Sequence, residues 1–297
     1  MRILHIDTGR EMRGGQIQVK LLMKGLREAG HECQLLARPG SPLFESDPQA
    51  APAGLVSVWS RSTDFDILHA HDARAHTLAA IAGRAPFVVS RRVAFPVKRG
   101  LPSKWKYARA RRFLAVSRFV AKELQSAGVP TERIDVVYDA VDLPQPAATW
   151  DRNLPAVALA TSDPQKGRTI VERAAHIAGI PIVFSNDLTR DLQRASMFVY
   201  ITQSEGLGSA ALLAMARGVP VVASRAGGLA EVFGDELAGL YVRNEPEDVA
   251  RAMRKMRDDA DFARSLIRAG QRRVAEQFTL QHMVEGTLKS YERAVAG

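Results

Sequence analysis

The chain has 297 residues, a formal net charge of +9 and one cysteine, Cys33. This length accommodates about two domains of ~150 residues each. A single cysteine excludes an internal disulfide, and no apolar run approaches the ~20 residues of a transmembrane helix. The opening MRILHID becomes acidic too early for a signal peptide, so we expect a cytoplasmic protein whose first residues form a strand.

The positive charge is concentrated in the first half of the chain. Residues 1–146 hold 22 Lys/Arg and 14 Asp/Glu, whereas residues 147–297 hold 19 and 18. No acidic residue lies between Asp72 and Glu123, a stretch with 13 Lys/Arg. This imbalance indicates either an anionic partner or a solvated basic face, and both interpretations remain open at this point.

In chain order, the first half alternates strand-like and helix-like segments. The first helix carries an apolar stripe that includes Ile17, Leu22 and Leu26. Ser117 is a good N-cap for a later helix. The apolar strand candidates are Ile3–Ile6, Cys33–Leu36, Ile67–Ala70, Phe87–Val89, Phe113–Val116 and Ile134–Val137. This alternation predicts an α/β fold with a parallel sheet covered by helices.

The same alternation restarts after a proline-containing segment, Leu143–Pro146, which is typical of a linker. The strand candidates of the second half are Val157–Ala160, Ile182–Phe184, Met197–Ile201 and Val219–Ala223. We expect an amino-terminal domain over residues 1–146, a carboxyl-terminal domain over residues 147–278, and a helix over residues 279–297 that packs back toward the first domain. Because parallel sheets bind ligands at the carboxyl ends of their strands, a ligand cleft is expected between the two domains.

The most informative stretch is SEGLGSAALLAMARGVPVVAS, residues 204–224. It passes an acid, Glu205, and enters a helix that starts at Gly208 or Ser209. The free N–H groups of a helix start favour a phosphate, and Gly206 and Gly208 let a ligand approach the backbone. A plain strand–helix turn also needs glycines, but a carboxylate at this place favours a polar ligand.

The longer stretch SEGLGSAALLAMARGVPVVASRAGGLAEVF resembles the carboxyl-domain signature of the family 4 nucleotide-sugar glycosyltransferases. Matching segments follow in the family's order: MRILHIDTGREMRGGQIQV, DILHAHD, LAVS, VVYDAVDLP and DPQKG. The resemblance implies the GT-B fold, in which two Rossmann-like domains with parallel sheets face each other across a cleft. It also implies transfer of a sugar from a nucleotide-sugar donor with retention of anomeric configuration, without a cofactor or a metal.

The resemblance also implies roles for individual residues. Lys166 would pair with the donor diphosphate and stabilise the departing nucleotide, because a leaving diphosphate gathers negative charge. Glu205 would hydrogen-bond the donor sugar, and His71 would face the cleft from the first domain. An ordinary exposed lysine and a structural histidine remain the alternatives for Lys166 and His71. The residues implied to contact the donor's phosphates, ribose or sugar are Gly14, Gly15, Thr161, Gly206, Leu207, Gly208 and Ser209.

Three positions depart from the family pattern. Thr161 stands where an arginine usually shares the diphosphate, and Leu213 stands where a second glutamate usually contacts the ribose. Arg92 replaces a histidine, and we hypothesise a catalytic role in which its guanidinium restores the lost charge through a bidentate phosphate contact. The chain is also short. The segment between Val58 and Asp64 lacks the usual helix and residues 179–185 are compressed, which suggests a missing strand–helix unit in each domain.

The segment Lys98–Arg112 interleaves basic side chains with Trp105 and Tyr107. Cationic side chains beside interfacial aromatics suit an anionic membrane surface. We therefore expect a glycan or glycolipid acceptor, lipid-linked or of the cell envelope, and a protein that is cytoplasmic or peripheral on the inner face of the membrane. No nucleic-acid motif accompanies the charge, so a nucleic acid is not an expected partner.

Three classes of function follow from these observations. The preferred class is an active retaining glycosyltransferase. Thr161 and Leu213 keep open the alternative of a sugar-nucleotide-binding protein with weak or lost transferase activity. A Rossmann-type oxidoreductase is disfavoured, because the loop after the first strand, Gly9–Gly15, lacks the G-x-G-x-x-G pattern.

Overall fold

The computed structural model describes residues 1–95, 100–142, 150–234 and 238–297. The chain divides into two compact units, the first formed by Met1–Ala140 and Leu280–Gly297 and the second by Val141–Thr279. The predicted linker Leu143–Pro146 and the basic residues Lys98 and Arg99 lie outside the described residues.

The first unit is built on a parallel sheet. Its strands are β1 (Arg2–Asp7), β2 (Glu32–Ala37), β3 (Ala51–Pro52), β4 (Ile67–Ala70), β5 (Phe87–Arg91), β6 (Arg112–Ala115) and β7 (Ile134–Val136). The sheet order is β3-β2-β1-β4-β5-β6-β7. Its helices are α1 (Gly14–Glu28), α2 (Pro42–Glu45), α3 (Leu55–Arg61), α4 (Ala73–Ala82), α5 (Leu101–Arg109), α6 (Arg118–Ser126) and the carboxyl-terminal α13 (Leu280–Ala296).

The core of the first unit explains why these segments adopt this arrangement. Strand β1 is buried from Ile3 to Asp7, as expected for a parallel strand covered on both faces. Helix α1 buries the stripe that includes Leu22 and Leu26, and α13 packs against it. The contact between these helices is close, because a Cβ at Gly25 would lie 2.6 Å from Cγ2 of Val284.

The second unit contains a smaller parallel sheet. Its strands are β8 (Ala156–Leu159), β9 (Ile182–Ser185), β10 (Met197–Tyr200), β11 (Val221–Ser224) and β12 (Leu240–Val242), in the order β12-β11-β10-β8-β9. Its helices are α7 (Arg168–Ala178), α8 (Leu188–Asp191), α9 (Ser209–Ala216), α10 (Leu229–Phe233), α11 (Pro246–Asp258) and α12 (Ala260–Gln277). Its core gathers small and branched side chains from the strands and from α7, α11 and α12.

Several sequence expectations are confirmed and two are wrong. Ser117 caps α6 by accepting the N–H of Val120 at 3.0 Å. The segment between Val58 and Asp64, expected to lack a helix, begins inside α3, which spans Leu55–Arg61. The helix was missed because Val58 is its one buried residue and no apolar stripe marks it. Gly14 and Gly15 belong to the first turn of α1 rather than to the loop before it.

None of the helices in the described ranges combines the length and the apolar character needed to cross a membrane.

Candidate functional site

The carboxyl ends of β8, β10 and β11 bring three loops together in the second unit. These parallel strands are neighbours in the sheet, so the loops that leave them meet at one edge. The loop after β8 carries Lys166, the loop after β10 carries Glu205, and the turn after β11 contains Gly227 and Gly228. Lys166 and Glu205, which the family resemblance assigns to one donor site, therefore lie at one edge of the sheet.

Lys166, Tyr200 and Glu205 form a compact polar group. Nζ of Lys166 lies 2.6 Å from Oε2 of Glu205 and 3.3 Å from the phenol oxygen of Tyr200. The Tyr200 hydroxyl donates a short hydrogen bond to the same carboxylate oxygen. Oε1 of Glu205 accepts the backbone N–H of Gly206 at 3.0 Å. Both charged side chains are largely buried, at 24% exposure for Lys166 and 16% for Glu205.

Local turns hold the two charged residues in place. Lys166 ends a single 3₁₀ turn over Pro164–Lys166, in which the Asp163 carboxylate accepts the N–H of Gln165 at 2.9 Å. The backbone N–H of Gln203 donates to the carbonyl of Gln165 at 2.9 Å, which ties the loop after β10 to the loop after β8. The Lys166–Glu205 contact is thus supported by the backbone of both loops.

Glycines let the loop after β10 pack tightly against its neighbours. Gly208 has φ +108 and precedes α9, and a Cβ there would lie 2.5 Å from Cδ2 of Leu229. A Cβ at Gly228 would lie 2.0 Å from the carbonyl oxygen of Gly206. The N–H of Gly228 donates to the carbonyl of Glu205 at 3.0 Å, so the turn after β11 braces the loop that carries the carboxylate.

A hydrogen-bond network supports the start of the same loop. The backbone N–H of Thr202 donates to Oγ of Ser224 at 2.8 Å, and Ser224 lies 2.6 Å from the Asn244 side chain. The Asn244 amide donates to the carbonyl of Thr202 at 3.1 Å, which closes the network. Thr202 and Ser224 are buried, so these bonds replace those that water would supply.

The remaining predicted donor contacts of this unit lie in the same two loops or at the start of α9. Oγ1 of Thr161 accepts the N–H of Asp163 at 3.1 Å and so stabilises the loop that leads to Lys166. Leu207 is buried at 2% exposure, and Ser209 is the first residue of α9. Leu213 is half-buried in the same helix and contributes no polar group.

In the first unit, His71 belongs to a buried histidine cluster that also contains His5 and His69. Nε2 of His71 lies 2.9 Å from Nδ1 of His5. His69 is bonded on both nitrogens, to the Tyr291 hydroxyl at 2.6 Å and to Oγ of Ser90 at 2.8 Å. His71 is only 7% exposed, and its role toward a ligand stays a prediction.

The electrostatics of this cluster favour neutral rings. Burial lowers the pKa of His5 to about 3 and, with neighbouring rings and Arg92, lowers the pKa of His69 and His71 well below 6.5. Arg92 only donates, so Nδ1 of His71, 3.4 Å away, must accept. The proton of His71 then lies on Nε2 and is donated to His5.

Within the described ranges, the three histidines could also be considered as metal ligands. Each offers one ring nitrogen, and these three nitrogens lie within 4.8 Å of one another. Both nitrogens of His69 already make hydrogen bonds, and a guanidinium lies beside His71. These contacts fit a polar core better than a metal centre.

Arg92 is engaged by a buried acid. Its Nε donates to Oδ1 of Asp139 at 3.1 Å, and the two side chains are 15% and 6% exposed. The guanidinium thus follows β5 at the carboxyl edge of the sheet, as the hypothesis requires, but it already has an anionic partner. Gly14 and Gly15 lie at the start of α1, where an added Cβ would meet nothing within 4 Å.

Sequence reasoning missed Tyr200, Asp139 and the role of Gly227 and Gly228. Tyr200 is the last residue of the apolar strand MFVY, and the sequence pattern marks it only as part of that strand. A phenol hydroxyl at a strand's carboxyl end, five residues before Glu205, is the signal that identifies it. Asp139 stands in the quoted segment VVYDAVDLP, but a one-dimensional pattern does not pair it with Arg92.

Two family models match the chain. The model described as Glycosyltransferase Family 4 matches residues 12–145, and the model described as Glycosyl transferases group 1 matches residues 178–273. All but the last five residues of the first match lie in the unit that contains the histidine cluster, and the second match includes the loop with Glu205 and the turn with Gly228.

Curated relatives align with part of the chain. The D-inositol 3-phosphate glycosyltransferase of Nocardioides sp. is 35% identical over 118 residues, which are 39% of this chain and 26% of the relative. The alpha-maltose-1-phosphate synthase of Mycolicibacterium smegmatis is 37% identical over 112 residues, 35% of this chain and 29% of the relative. The matched segment therefore spans between a quarter and a third of these relatives.

Solved structures match the whole fold at low identity. Anabaena HepE in complex with UDP has a TM-score of 0.85 and 15% identity, with 98% of this chain and 100% of that chain covered. Sucrose-phosphate synthase from Thermosynechococcus elongatus has a TM-score of 0.74 and 17% identity, with both chains fully covered. The likeness at these identities concerns the fold. Together with the two family models, it shows that the chain belongs to the family 4 glycosyltransferases and has the GT-B fold.

Proposed function

We propose that this protein transfers a sugar from a nucleotide-sugar donor, which carries a nucleoside diphosphate, to a glycan or glycolipid acceptor with retention of anomeric configuration. The observation that carries the proposal is the buried Lys166–Glu205 pair at the carboxyl edge of the second sheet, 2.6 Å apart. In the transfer, the bond between the sugar's anomeric carbon and the phosphate oxygen breaks, and the acceptor oxygen bonds to that carbon. The acceptor's proton leaves with the nucleotide.

Each part of the site has a task in this reaction. Lys166 stabilises the negative charge that gathers on the departing diphosphate, which makes a metal ion unnecessary. Glu205 hydrogen-bonds the sugar hydroxyls, and the loop Gly206–Ser209 supplies backbone groups and the start of α9 to the nucleotide. A nucleoside diphosphate is supported as the ligand class by Anabaena HepE, which was solved with UDP and with UDP-glucose.

The first unit is proposed to bind the acceptor near a membrane. Helix α5 buries none of its nine residues, and Leu101 and Trp105 are 81% and 49% exposed. The Arg109 guanidinium lies 5.5 Å from the centre of the Trp105 ring, so charge and aromatic surface are adjacent. This combination suits the anionic inner face of a membrane and a lipid-linked acceptor, and would place the protein there peripherally.

The membrane proposal is tested by sedimentation with vesicles that contain an anionic lipid. We expect binding that weakens with salt and is reduced by a Lys104→Glu, Arg109→Glu double variant. Lys106 is a poorer target, because its Nζ already donates to the carbonyl of Ala73 at 3.2 Å. The control is Lys20→Glu on α1. The proposal would be contradicted if the protein bound neutral vesicles at high salt as well as it binds the anionic vesicles.

A second candidate function is a sugar-nucleotide-binding protein that no longer transfers. Thr161 and Leu213 favour it, because neither side chain replaces the charge that the family usually places at these positions. A measurement of nucleotide release distinguishes the two functions. A transferase releases nucleotide faster when an acceptor is added, whereas a binding protein is stabilised by the donor and releases none.

The experiment that tests the proposal is a thermal-unfolding panel of UDP-, GDP- and ADP-sugars, followed by an assay of nucleotide release. A ligand present at 100 times its Kd stabilises the protein by about 2.7 kcal/mol, which a melting curve resolves easily. We expect one nucleotide class to stabilise the protein and to support transfer, with the product's anomeric configuration retained by NMR. Stabilisation by none of them would overturn the proposal.

A further inference from the structure

The phenol of Tyr200 contacts both charged members of the donor site. Its hydroxyl donates to Oε2 of Glu205, the same oxygen that Lys166 contacts, and the Lys166 ammonium also lies 5.3 Å from the centre of the Tyr200 ring. Tyr200 is 5% exposed and its ring stacks on Phe198, with ring centres 5.5 Å apart. The ring is therefore fixed by packing, and the hydroxyl has a defined direction.

Lys166 has two competing tasks in the proposed reaction. In the structure it neutralises Glu205, but in the reaction its ammonium is needed on the donor's diphosphate. When Lys166 turns to the diphosphate, the carboxylate loses its one ionic contact among the described residues. A largely buried carboxylate without donors is costly, so something must satisfy Oε2 in the donor complex.

We propose that Tyr200 is a positioning residue that holds the Glu205 carboxylate while Lys166 engages the donor's diphosphate. Its O–H keeps Oε2 satisfied, and the N–H of Gly206 keeps Oε1 satisfied at 3.0 Å. The Glu205 carboxylate then stays directed toward the sugar. This inference rests on the proposed function, since it assumes a diphosphate as the partner that attracts Lys166.

The chemistry of the phenol suits this task. Burial and the adjacent carboxylate raise the pKa of Tyr200 well above 10, so the hydroxyl remains a donor across the working pH range. A neutral donor also leaves the carboxylate's charge in place, whereas a second cation would compete for the same phosphate. The side chain that supports the carboxylate is thus one that the diphosphate does not attract.

The test is Tyr200→Phe, which keeps the ring, its stacking on Phe198 and its cation–π contact with Lys166. It removes only the hydroxyl, with its hydrogen bonds to Glu205 and Lys166. The matched control is Tyr241→Phe, since the Tyr241 hydroxyl donates to the Leu229 carbonyl at 3.0 Å and its ring lies beneath Arg225. We expect Tyr200→Phe to raise the donor KM about tenfold, because a hydrogen bond to a charged group is lost when Lys166 moves. We expect Tyr241→Phe to match the wild type.

A double-variant cycle with Glu205 separates a positioning role from a merely structural one. In a Glu205→Gln background, Tyr200→Phe should add little, because the two residues act on one carboxylate. Melting curves check that each variant is folded.

The outcomes distinguish this inference from the proposed function. A wild type that neither binds nor uses any nucleotide sugar overturns both. A wild type that transfers sugar while Tyr200→Phe keeps the wild-type donor KM overturns the role of Tyr200 alone. A loss in Tyr200→Phe that is additive with Glu205→Gln also contradicts it, since the residues would then act independently.

Discussion

Replacing Gly228 with alanine tests how the turn after β11 supports Glu205. Gly228 has φ −70 and ψ −10, a conformation that alanine adopts without strain. The added Cβ would nevertheless lie 2.0 Å from the carbonyl oxygen of Gly206 and 2.9 Å from Cα of Leu207. Cβ atoms in proteins lie at least 3.0 Å from non-bonded heavy atoms, so the loop or the start of α10 must move by about 1 Å.

This displacement is large compared with the tolerance of the site. The Lys166–Glu205 contact is 2.6 Å, and the loop that moves is the one that carries the carboxylate. A misplacement of about 1 Å in a positioned group can lower turnover by ~10²-fold. The overpacking itself should destabilise the second unit by about 1–3 kcal/mol.

The assay compares donor affinity, turnover and melting temperature in Gly228→Ala and in a control, Gly54→Ala. Gly54 has an extended φ of −168, and a Cβ there would meet nothing within 4 Å. We expect the control to behave as the wild type and Gly228→Ala to lose donor affinity and turnover while remaining folded at low temperature. Unchanged kinetics in Gly228→Ala would refute the claim that this turn positions Glu205.

Three further predictions concern the first unit. Burial lowers the pKa of His5 and of His76 to about 3. These rings are neutral when folded but take up a proton near pH 6.5 when unfolded. The free energy of unfolding is therefore at its full value above pH 6.5. As the pH falls below 6.5, it decreases by up to about 1.4 kcal/mol per pH unit for each histidine. Urea unfolding at pH 7 and 5.5 should show a smaller loss in His76→Gln than in the wild type or the exposed control His282→Gln, and equal losses would contradict this. Arg92→Ala should destabilise the unit by roughly 3 kcal/mol, because it leaves the buried Asp139 without its guanidinium. Turnover should fall in Arg92→Ala and less in Arg92→Lys, and unchanged kinetics in both would exclude a catalytic role. Ser117→Ala should cost about 1 kcal/mol, measured by the same unfolding method, because the N-cap of α6 is lost.

The sequence was informative wherever a local pattern determines the structure. The apolar runs located most strands, and Ser117 marked the start of α6, because burial and capping are local effects. Helix α3 was missed for the converse reason. It exposes Val56 and Trp59 and buries only Val58, so nothing in its pattern distinguishes it from a loop.

The candidate site was predictable as a set of residues and unpredictable as a set of contacts. Lys166 and Glu205 were placed at one sheet edge by strand order and by family resemblance. The third member, Tyr200, reads as the end of an apolar strand until the fold brings its hydroxyl to the carboxylate. Arg92 follows β5, where the hypothesis requires it, and its catalytic role stays a prediction. Its ion pair with Asp139 joins residues 47 positions apart, which a linear pattern does not reveal.

The most direct test of the central claim is a calorimetric titration with the nucleoside diphosphate of whichever donor stabilises the protein, with the nucleoside as reference. The proteins are the wild type, Lys166→Met and the control Lys20→Met. If Lys166 binds the diphosphate, Lys166→Met should bind the nucleoside diphosphate at least about tenfold more weakly than the wild type, because a charge-assisted contact is lost. Lys20→Met should match the wild type, and the nucleoside should bind all three proteins equally. Equal affinity of Lys166→Met and the wild type for the diphosphate would contradict the account.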